Sequence, residues 1–352
     1  MQSPVSDPVL DTVLPRWPFP AAPSRDPADV AAVESGGEEW ARRFGLIDSE
    51  DAPHPLRLLC AGELVSFGYP RADTAMRVLI TQWTMWYFNL DDHFEDGASG
   101  TSAEAAEAAA APLRRIVDAA RRHRTMPLAE DSLQHSMSDL LSRTAQVMAP
   151  VQFHELLAHL DDYFTSLVVE SEYRARGVLP GVDAYITLRR DTGPVLPLLD
   201  FVEQAESVRL PVRFYGTPEY TEMIGCAADI ASWINDLCSV SKELDRPDAY
   251  NLVVLLHRQE RKSLQDAAVE TLNRIEQRVR SLEGALDAIS GSGPDVGSGT
   301  KDGSGSVAPY NGSEIEAIRA WADGLLCFQS HVEWYLRHAR YEREEPHPEV
   351  SP

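Results

Sequence analysis

The sequence predicts an all-α protein, on three observations. From about residue 36 onward apolar residues recur at three- and four-residue spacing, alternation of period two is almost absent, and proline and glycine interrupt the pattern, as at Pro180-Gly181 and Gly193-Pro194. In chain order the spacing places helices over 36–46, 56–66, 71–90, 102–122, 129–147, 151–176, 182–191, 195–206, 217–242, 249–256, 262–288 and 313–341. Residues 1–30 are rich in proline and polar side chains, with Trp17-Pro18-Phe19-Pro20 embedded. They read as an extended arm whose aromatics pack on the body. Residues 290–313 are dominated by Gly, Ser, Asp and Asn and read as a flexible surface loop, with Ser313-Glu314 capping the final helix. Residues 31–342 then form one domain, followed by a polar tail over 343–352.

Composition narrows the function. The chain has 352 residues, 43% of them apolar, enough to build a sizeable core. Acidic residues outnumber basic ones, 55 to 32, for a net charge of −23. A general nucleic-acid binder needs a basic face, so that class is excluded. A phosphorylated substrate is not, because bound metal ions reverse the local field. The four cysteines show no CxxC spacing, which fits reduced thiols in a cytoplasm. The N-terminus has no basic segment leading into an apolar run, and no apolar stretch reaches the ~18 residues that span a bilayer. A cytoplasmic protein with no membrane partner is expected.

The most informative stretch is Asn235-Asp236-Leu237-Cys238-Ser239-Val240-Ser241-Lys242-Glu243. On a helix, Asn235, Ser239 and Glu243 stack on one face. Amide, hydroxyl and carboxylate oxygens in that array suit Mg²⁺. Lys242 falls near the same stripe, which makes sense if the metal arrives with an anion such as a diphosphate. A second acidic cluster, Asp91-Asp92-His93-Phe94-Glu95-Asp96, ends an aromatic-rich helix. It reads either as a solvated helix end or as a second metal site, with Asp91 and Glu95 on one face. Acids at a helix C-terminus oppose the dipole, which tilts the reading toward a bound cation. His93 reads as a spacer, because Mg²⁺ prefers oxygen.

Two places supply positive charge. Arg189-Arg190 precede the Gly193-Pro194 break, where a guanidinium can grip phosphate bidentately or pair with a local carboxylate at the surface. Arg340-Tyr341 close the final helix, with Trp334 on the same face as Tyr341. Thr84, Tyr87 and Phe88 lie one to two turns before Asp91, and with Trp334 they are candidates for a cavity wall or for ordinary core.

Together these residues resemble the bacterial class I terpene synthases, or terpene cyclases, and most of all the sesquiterpene cyclases. The family's DDxx(D/E) or DDxxx(D/E) motif is similar to Asp91 through Asp96. Its ND(L/I/V)xSxxKE motif is matched at every fixed position by Asn235 through Glu243. The family's diphosphate-sensing arginine lies 46 positions before the motif's Asn, which is Arg189 here, and Arg340-Tyr341 resembles its C-terminal Arg-Tyr pair. The departure is the 97-residue interval from Glu243 to Arg340, longer than in the family, for which the 290–313 loop accounts.

The resemblance implies a single antiparallel helical bundle around a deep apolar cavity, with the two metal motifs facing one another at its mouth. It implies three Mg²⁺ ions, held by Asp91 on one side and by Asn235, Ser239 and Glu243 on the other. Arg189, Lys242, Arg340 and Tyr341 would hydrogen-bond the diphosphate, and Asp92 would pair with Arg189 on closure. Glu95 and Asp96 would stand behind the ligands, and Thr192 would link the sensor to an effector carbonyl at Gly193. The implied reaction is ionisation of a linear prenyl diphosphate and cyclisation of the carbocation. Farnesyl diphosphate is the first expectation, geranylgeranyl diphosphate the second and a C10 substrate the third. A homodimer is compatible with the family. The competing readings are a chain-elongating isoprenyl diphosphate synthase, which would carry a second aspartate-rich motif, a prenyl diphosphate hydrolase, and an inactive prenyl diphosphate-binding homologue.

Overall fold

The computed structural model describes residues 8–19, 25–47, 54–95, 100–123, 129–246, 249–290 and 310–336. The described residues are α-helical with short 3-10 turns and contain no strand. The helices are α1 (Pro8–Val13), α2 (Pro27–Arg43), α3 (Pro55–Leu58), α4 (Ala61–Gly68), α5 (Thr74–Glu95), α6 (Ala103–Arg121), α7 (Ser132–Val147) and α8 (Pro150–Arg176). They continue with α9 (Val182–Thr192), α10 (Val195–Leu199), α11 (Val202–Ala205), α12 (Pro218–Glu243), α13 (Leu252–Glu260), α14 (Leu264–Ser290), α15 (Gly312–Phe328) and α16 (Val332–Tyr335).

The centre of the bundle is α12, which is buried almost continuously from Tyr220 to Val240. A helix apolar on all sides belongs inside. One flank, through Ala227, Ala228 and Ala231, joins a large core built from α4 to α8, α10 and α15. The other, through Ile230, Trp233, Ile234 and Leu237, joins a second core with α1, α13 and α14.

Several boundaries differ from the sequence expectation. The first helix of the body starts at Pro27, capped by Asp26, and not at 36. It runs through Gly36-Gly37 because α5 packs there. A Cβ on Gly37 would lie 2.7 Å from Thr81 Cγ2, and one on Gly36 2.9 Å from Val78. The two glycines stand at the start of the helix in the sequence reading and are instead a site of close packing within it. The expected helix 56–66 is split into α3 and α4 by Cys60, whose φ of 50° is left-handed. The expected helix 195–206 is split into α10 and α11. The helix expected over 313–341 is broken by a 3-10 turn at Gln329–His331 before α16. It also starts earlier, at Gly312: the cap is Asn311, in a capping box with Glu314, and not Ser313. Tyr310, assigned to the loop from sequence, is buried against Phe214 at 5.8 Å between centroids. The rest of that loop, residues 291–309, lies outside the described residues, as does the tail.

The N-terminal arm is not wholly extended. Its α1 buries Val9 and Val13 in the second core, and Trp17 and Phe19 pack edge-on against each other at 6.0 Å over it. Arg16 fastens this segment to α14 through Asn273 (2.8 Å) and Glu276 (2.9 Å).

One charged cluster ties the middle of α12 to its neighbours. Asp229, 1% exposed, accepts from Arg190 Nε and Nη2 (2.5 and 2.7 Å) and from Arg278 Nε (2.6 Å). The second arginine of the Arg189-Arg190 pair is therefore a brace between α9, α12 and α14. Asp229→Ala strands two guanidinium groups that retain some solvent, so the expected loss is about 3 kcal/mol, the low end for a broken buried pair. Urea denaturation of the variant checks this, and an unchanged midpoint would show that the cluster contributes nothing.

Candidate active site

The aspartate-rich cluster sits where α5 meets a cavity. The helix runs through Glu95, so Asp91 lies in its last turns rather than beyond its end. The helix gets there because Trp83, Met85, Trp86, Tyr87 and Leu90 bury it on several sides. Asp91 lines the cavity mouth and Asp92 is partly buried beside it. His93 is exposed and bonds the Asn89 carbonyl through Nδ1 at 2.8 Å. Asp96 and the Glu95 side chain lie outside the described residues, as do Arg340 and Tyr341.

Across the cavity stand Asn235, Lys242 and Glu243 of α12 with Arg189, Thr192 and Gly193 at the end of α9. Arg189 Nη2 donates to Asn235 Oδ1 at 2.8 Å, and its Nε faces Asp236 Oδ1 at 3.4 Å. The guanidinium is thus engaged by Asn235 and Asp236. Burial alone would lower its pKa, but Tyr185, Asp236, Glu243 and Glu170 together push it up, so Arg189 is a permanent cation. Gly193 caps α9 close against that group: a Cβ there would lie 3.2 Å from Arg189 Nη1.

Ser239 is buried beneath the cavity wall, 1% exposed. A residue missed by the sequence reading holds it in place. Asn251 donates through Nδ2 to Ser239 Oγ (3.2 Å), Glu243 Oε2 (3.1 Å) and the Asp236 carbonyl (2.7 Å). Its Oδ1 caps α13 at Val253 and Val254 (2.9 and 3.3 Å). The Asn before Leu252-Val253-Val254 signals that cap in the sequence, but nothing local reveals where the amide nitrogen points. Since one nitrogen reaches both Ser239 Oγ and Glu243 Oε2, these oxygens converge on a single small volume. Hard-oxygen donors gathered in that way fit Mg²⁺. Among the described residues no three of His, Cys, Asp and Glu converge, so amide and hydroxyl oxygens are needed to complete any metal shell.

The cavity walls are aromatic. Tyr87 and Phe88 contribute as expected, and Thr84 does so with its hydroxyl returned to the Ile80 carbonyl (2.9 Å). Trp334 does not line it. Its indole donates to the Leu59 carbonyl at 3.0 Å and its ring backs Phe88 at 6.4 Å. The 3-10 turn shifts the helical register, so His331 and Tyr335 face the cavity in its place. Phe328, Arg246 and Tyr250 also contribute. A larger groove of about 430 Å³ between α6, α7 and α8 holds none of these residues.

Burial, with the neighbouring Asp236 charge, pushes Glu243 up to about 7. Burial does the same to Glu34 beneath the α4 N-terminus, also to about 7. Both values lie above those of the unfolded chain. The metal-free protein therefore draws stability from the protonated forms below about pH 4.5 and loses it as pH rises through 7, on the order of 3 kcal/mol per group at most. The melting temperature without metal should fall from pH 5 to pH 8, and Glu243→Gln should flatten part of that fall. Added Mg²⁺ should raise it more at pH 8 than at pH 6, because the metal competes with the proton. Asn251→Ala should weaken the Mg²⁺ response about 10- to 100-fold in concentration. A Mg²⁺ response independent of pH and of Asn251 would separate the triad from metal binding.

Residues 82–281 match the family model described as terpene synthase family 2, C-terminal metal binding. A (+)-T-muurolol synthase of Roseiflexus castenholzii, which cyclises (2E,6E)-farnesyl diphosphate, is 30% identical over 73% of this chain and 76% of its own. A (−)-δ-cadinene synthase of Streptomyces clavuligerus is 24% identical over 95% of this chain and 94% of its own. Among solved structures, a germacradien-4-ol synthase from Streptomyces citricolor superposes with a TM-score of 0.72 at 20% identity, over 90% of this chain and 97% of that one. The metal-binding family model covers more than half of the chain, including most of α5 and the whole of α12, and on that ground the chain belongs to the terpene synthases of family 2.

Proposed function

We propose that the protein is a Mg²⁺-dependent sesquiterpene cyclase that ionises farnesyl diphosphate and closes the carbocation to a cyclic terpene. The observation that carries this reading is one cavity with two unlike kinds of lining. Asp91, Asn235, Glu243, Arg189 and Lys242 line it together with Tyr87, Phe88, Phe328 and Tyr335. An anionic leaving group and an apolar cation need that division.

The site oxygens of Asp91 and of Asn235, Ser239 and Glu243 would hold three Mg²⁺ ions, which when bound draw charge from the diphosphate oxygens. Arg189 supplies permanent positive charge at the leaving group, with Lys242 beside it and Arg340 and Tyr341 joining on the resemblance. Gly193 offers its carbonyl near Arg189 with no side chain in the way. The aromatic faces would stabilise positive charge in the hydrocarbon, and the apolar walls would disfavour water beside it.

One observation favours the C15 substrate and another favours a cyclase. The muurolol synthase relative acts on farnesyl diphosphate. The second motif carries Asn and Ser where a chain-elongating enzyme would carry aspartates.

The test is purified protein with Mg²⁺ and, separately, the C10, C15 and C20 diphosphates, with extracts analysed by gas chromatography and mass spectrometry. A cyclic product from farnesyl diphosphate is expected. Longer prenyl diphosphates on adding isopentenyl diphosphate, or no turnover, would overturn the reading. Asn235→Ala and Glu243→Ala should each lower turnover at least ~100-fold while leaving the circular dichroism spectrum unchanged. Near-normal rates in either would remove the triad from the metal site.

A further inference from the structure

The cavity contains one feature that the metal and diphosphate chemistry does not use. His331 ends the 3-10 turn between α15 and α16, is 4% exposed and lines the apolar wall. Its Nδ1 lies 2.6 Å from the Phe328 carbonyl, which can only accept, so Nδ1 carries the proton. The lone pair is therefore on Nε2. Aromatic rings flank the imidazole, Phe328 at 4.8 Å and Tyr335 at 5.3 Å between centroids.

We propose that His331 is the base that ends the reaction by taking a proton from the carbon next to the last cationic centre. This rests on the cyclase reading above. In the step the C–H electron pair becomes the π bond of the product alkene, and the proton binds the Nε2 lone pair. The carbocation is discharged and an imidazolium is formed. The adjacent ring faces stabilise that cation while it lasts. When product and diphosphate leave, the proton passes to water.

The local chemistry suits this role. Burial holds the His331 pKa down at about 4, against the opposing effect of the Phe328 carbonyl, so the resting imidazole is neutral and its lone pair is available. A carbocation is so strong an acid that a weak base suffices, and a weak base gives the proton up again at once. The other polar atoms in the walls are poorer acceptors. Tyr87 Oη and Ser232 Oγ line the same cavity unpaired, but neutral hydroxyls are far less basic than imidazole. Asp91 and Glu243 are assigned to metal on the cyclase reading, and Glu243 and Glu170 are held by Asn251 and Arg174. His159 is bonded to Asp200 at 2.8 Å and does not line the cavity.

The experiment compares the parent with His331→Phe and His331→Asn on farnesyl diphosphate and Mg²⁺, reading diphosphate release and products separately. The Phe variant keeps the aromatic packing. The Asn variant keeps an N–H for the Phe328 carbonyl, and it decides the matter should the Phe variant fail to fold. The parent should yield a cyclic alkene. Both variants should release diphosphate within about threefold of the parental rate, since ionisation does not involve the base. The parental alkene should fall at least ~10-fold in share, replaced by isomers deprotonated elsewhere or by alcohols. Parental product in parental proportion would overturn the proposal and leave the released diphosphate as the base. So would a parent that makes only an alcohol, or variants that lose diphosphate release together with the alkene. A parent that releases no diphosphate from any prenyl substrate would instead defeat the cyclase reading itself.

Discussion

A carboxylate inside an apolar helix organises the mouth of this cavity. Asp236 is 1% exposed, and burial raises its pKa against the pull of Arg189, Tyr185 and the Leu252 amide. An uncompensated charge there would cost several kcal/mol. Three donors compensate it: Tyr185 Oη at 2.6 Å, the Leu252 N–H at 2.9 Å and Arg189 Nε at 3.4 Å. Two of them come from α9 and one from the start of α13. Satisfying Asp236 therefore fixes how α9 and α13 dock on α12. It also places the Arg189 guanidinium against Asn235 and brings Asn251 under Ser239 and Glu243. The geometry at the mouth follows from the need to pair one buried charge.

That dependence explains which parts of the site the sequence discloses. Asn235, Ser239 and Glu243 are visible because one helix repeats every 3.6 residues, and the stripe they form is a local property. Arg189 is visible only through a fixed interval to Asn235, and the hydrogen bond between them shows why an interval exists to be kept. Asp236 lies in the same motif but points off the stripe, and local spacing assigns it no task. Asn251 is legible as a helix cap, and its second allegiance depends on how α13 folds back on α12, which is tertiary.

The same distinction governs the fold. The all-α class and most helices follow from periodicity. The misread boundaries are those set by a neighbour. Gly36-Gly37, read as the start of a helix, is a packing seam inside one, because the side chains that need the space come from α5, about forty residues away in sequence. The exchange of Trp334 for His331 and Tyr335 on the cavity wall follows from a single 3-10 turn. That turn moves every later side chain round the helix axis, and no periodic pattern carries it across.

On the proposed reading, the resting state of Arg189 has a consequence for how the site loads. Its guanidinium donates to Asn235 Oδ1, the same oxygen a metal ion of the triad requires. Cation and guanidinium would compete for it, so a metal ion held by the triad would take one of the arginine's two anchors. A buried cation that loses a partner needs another, and the anion that arrives with the metal is the one at hand. Binding of metal and of diphosphate are thereby coupled through one amide oxygen, and by linkage each strengthens the other to the same degree. Asp236 keeps its hold on Nε meanwhile, so the guanidinium swings about a fixed point rather than leaving the site. A chain of net charge −23 can hold a diphosphate on these terms, because its positive charge at the mouth is already buried, oriented and lightly tethered when the ligand comes.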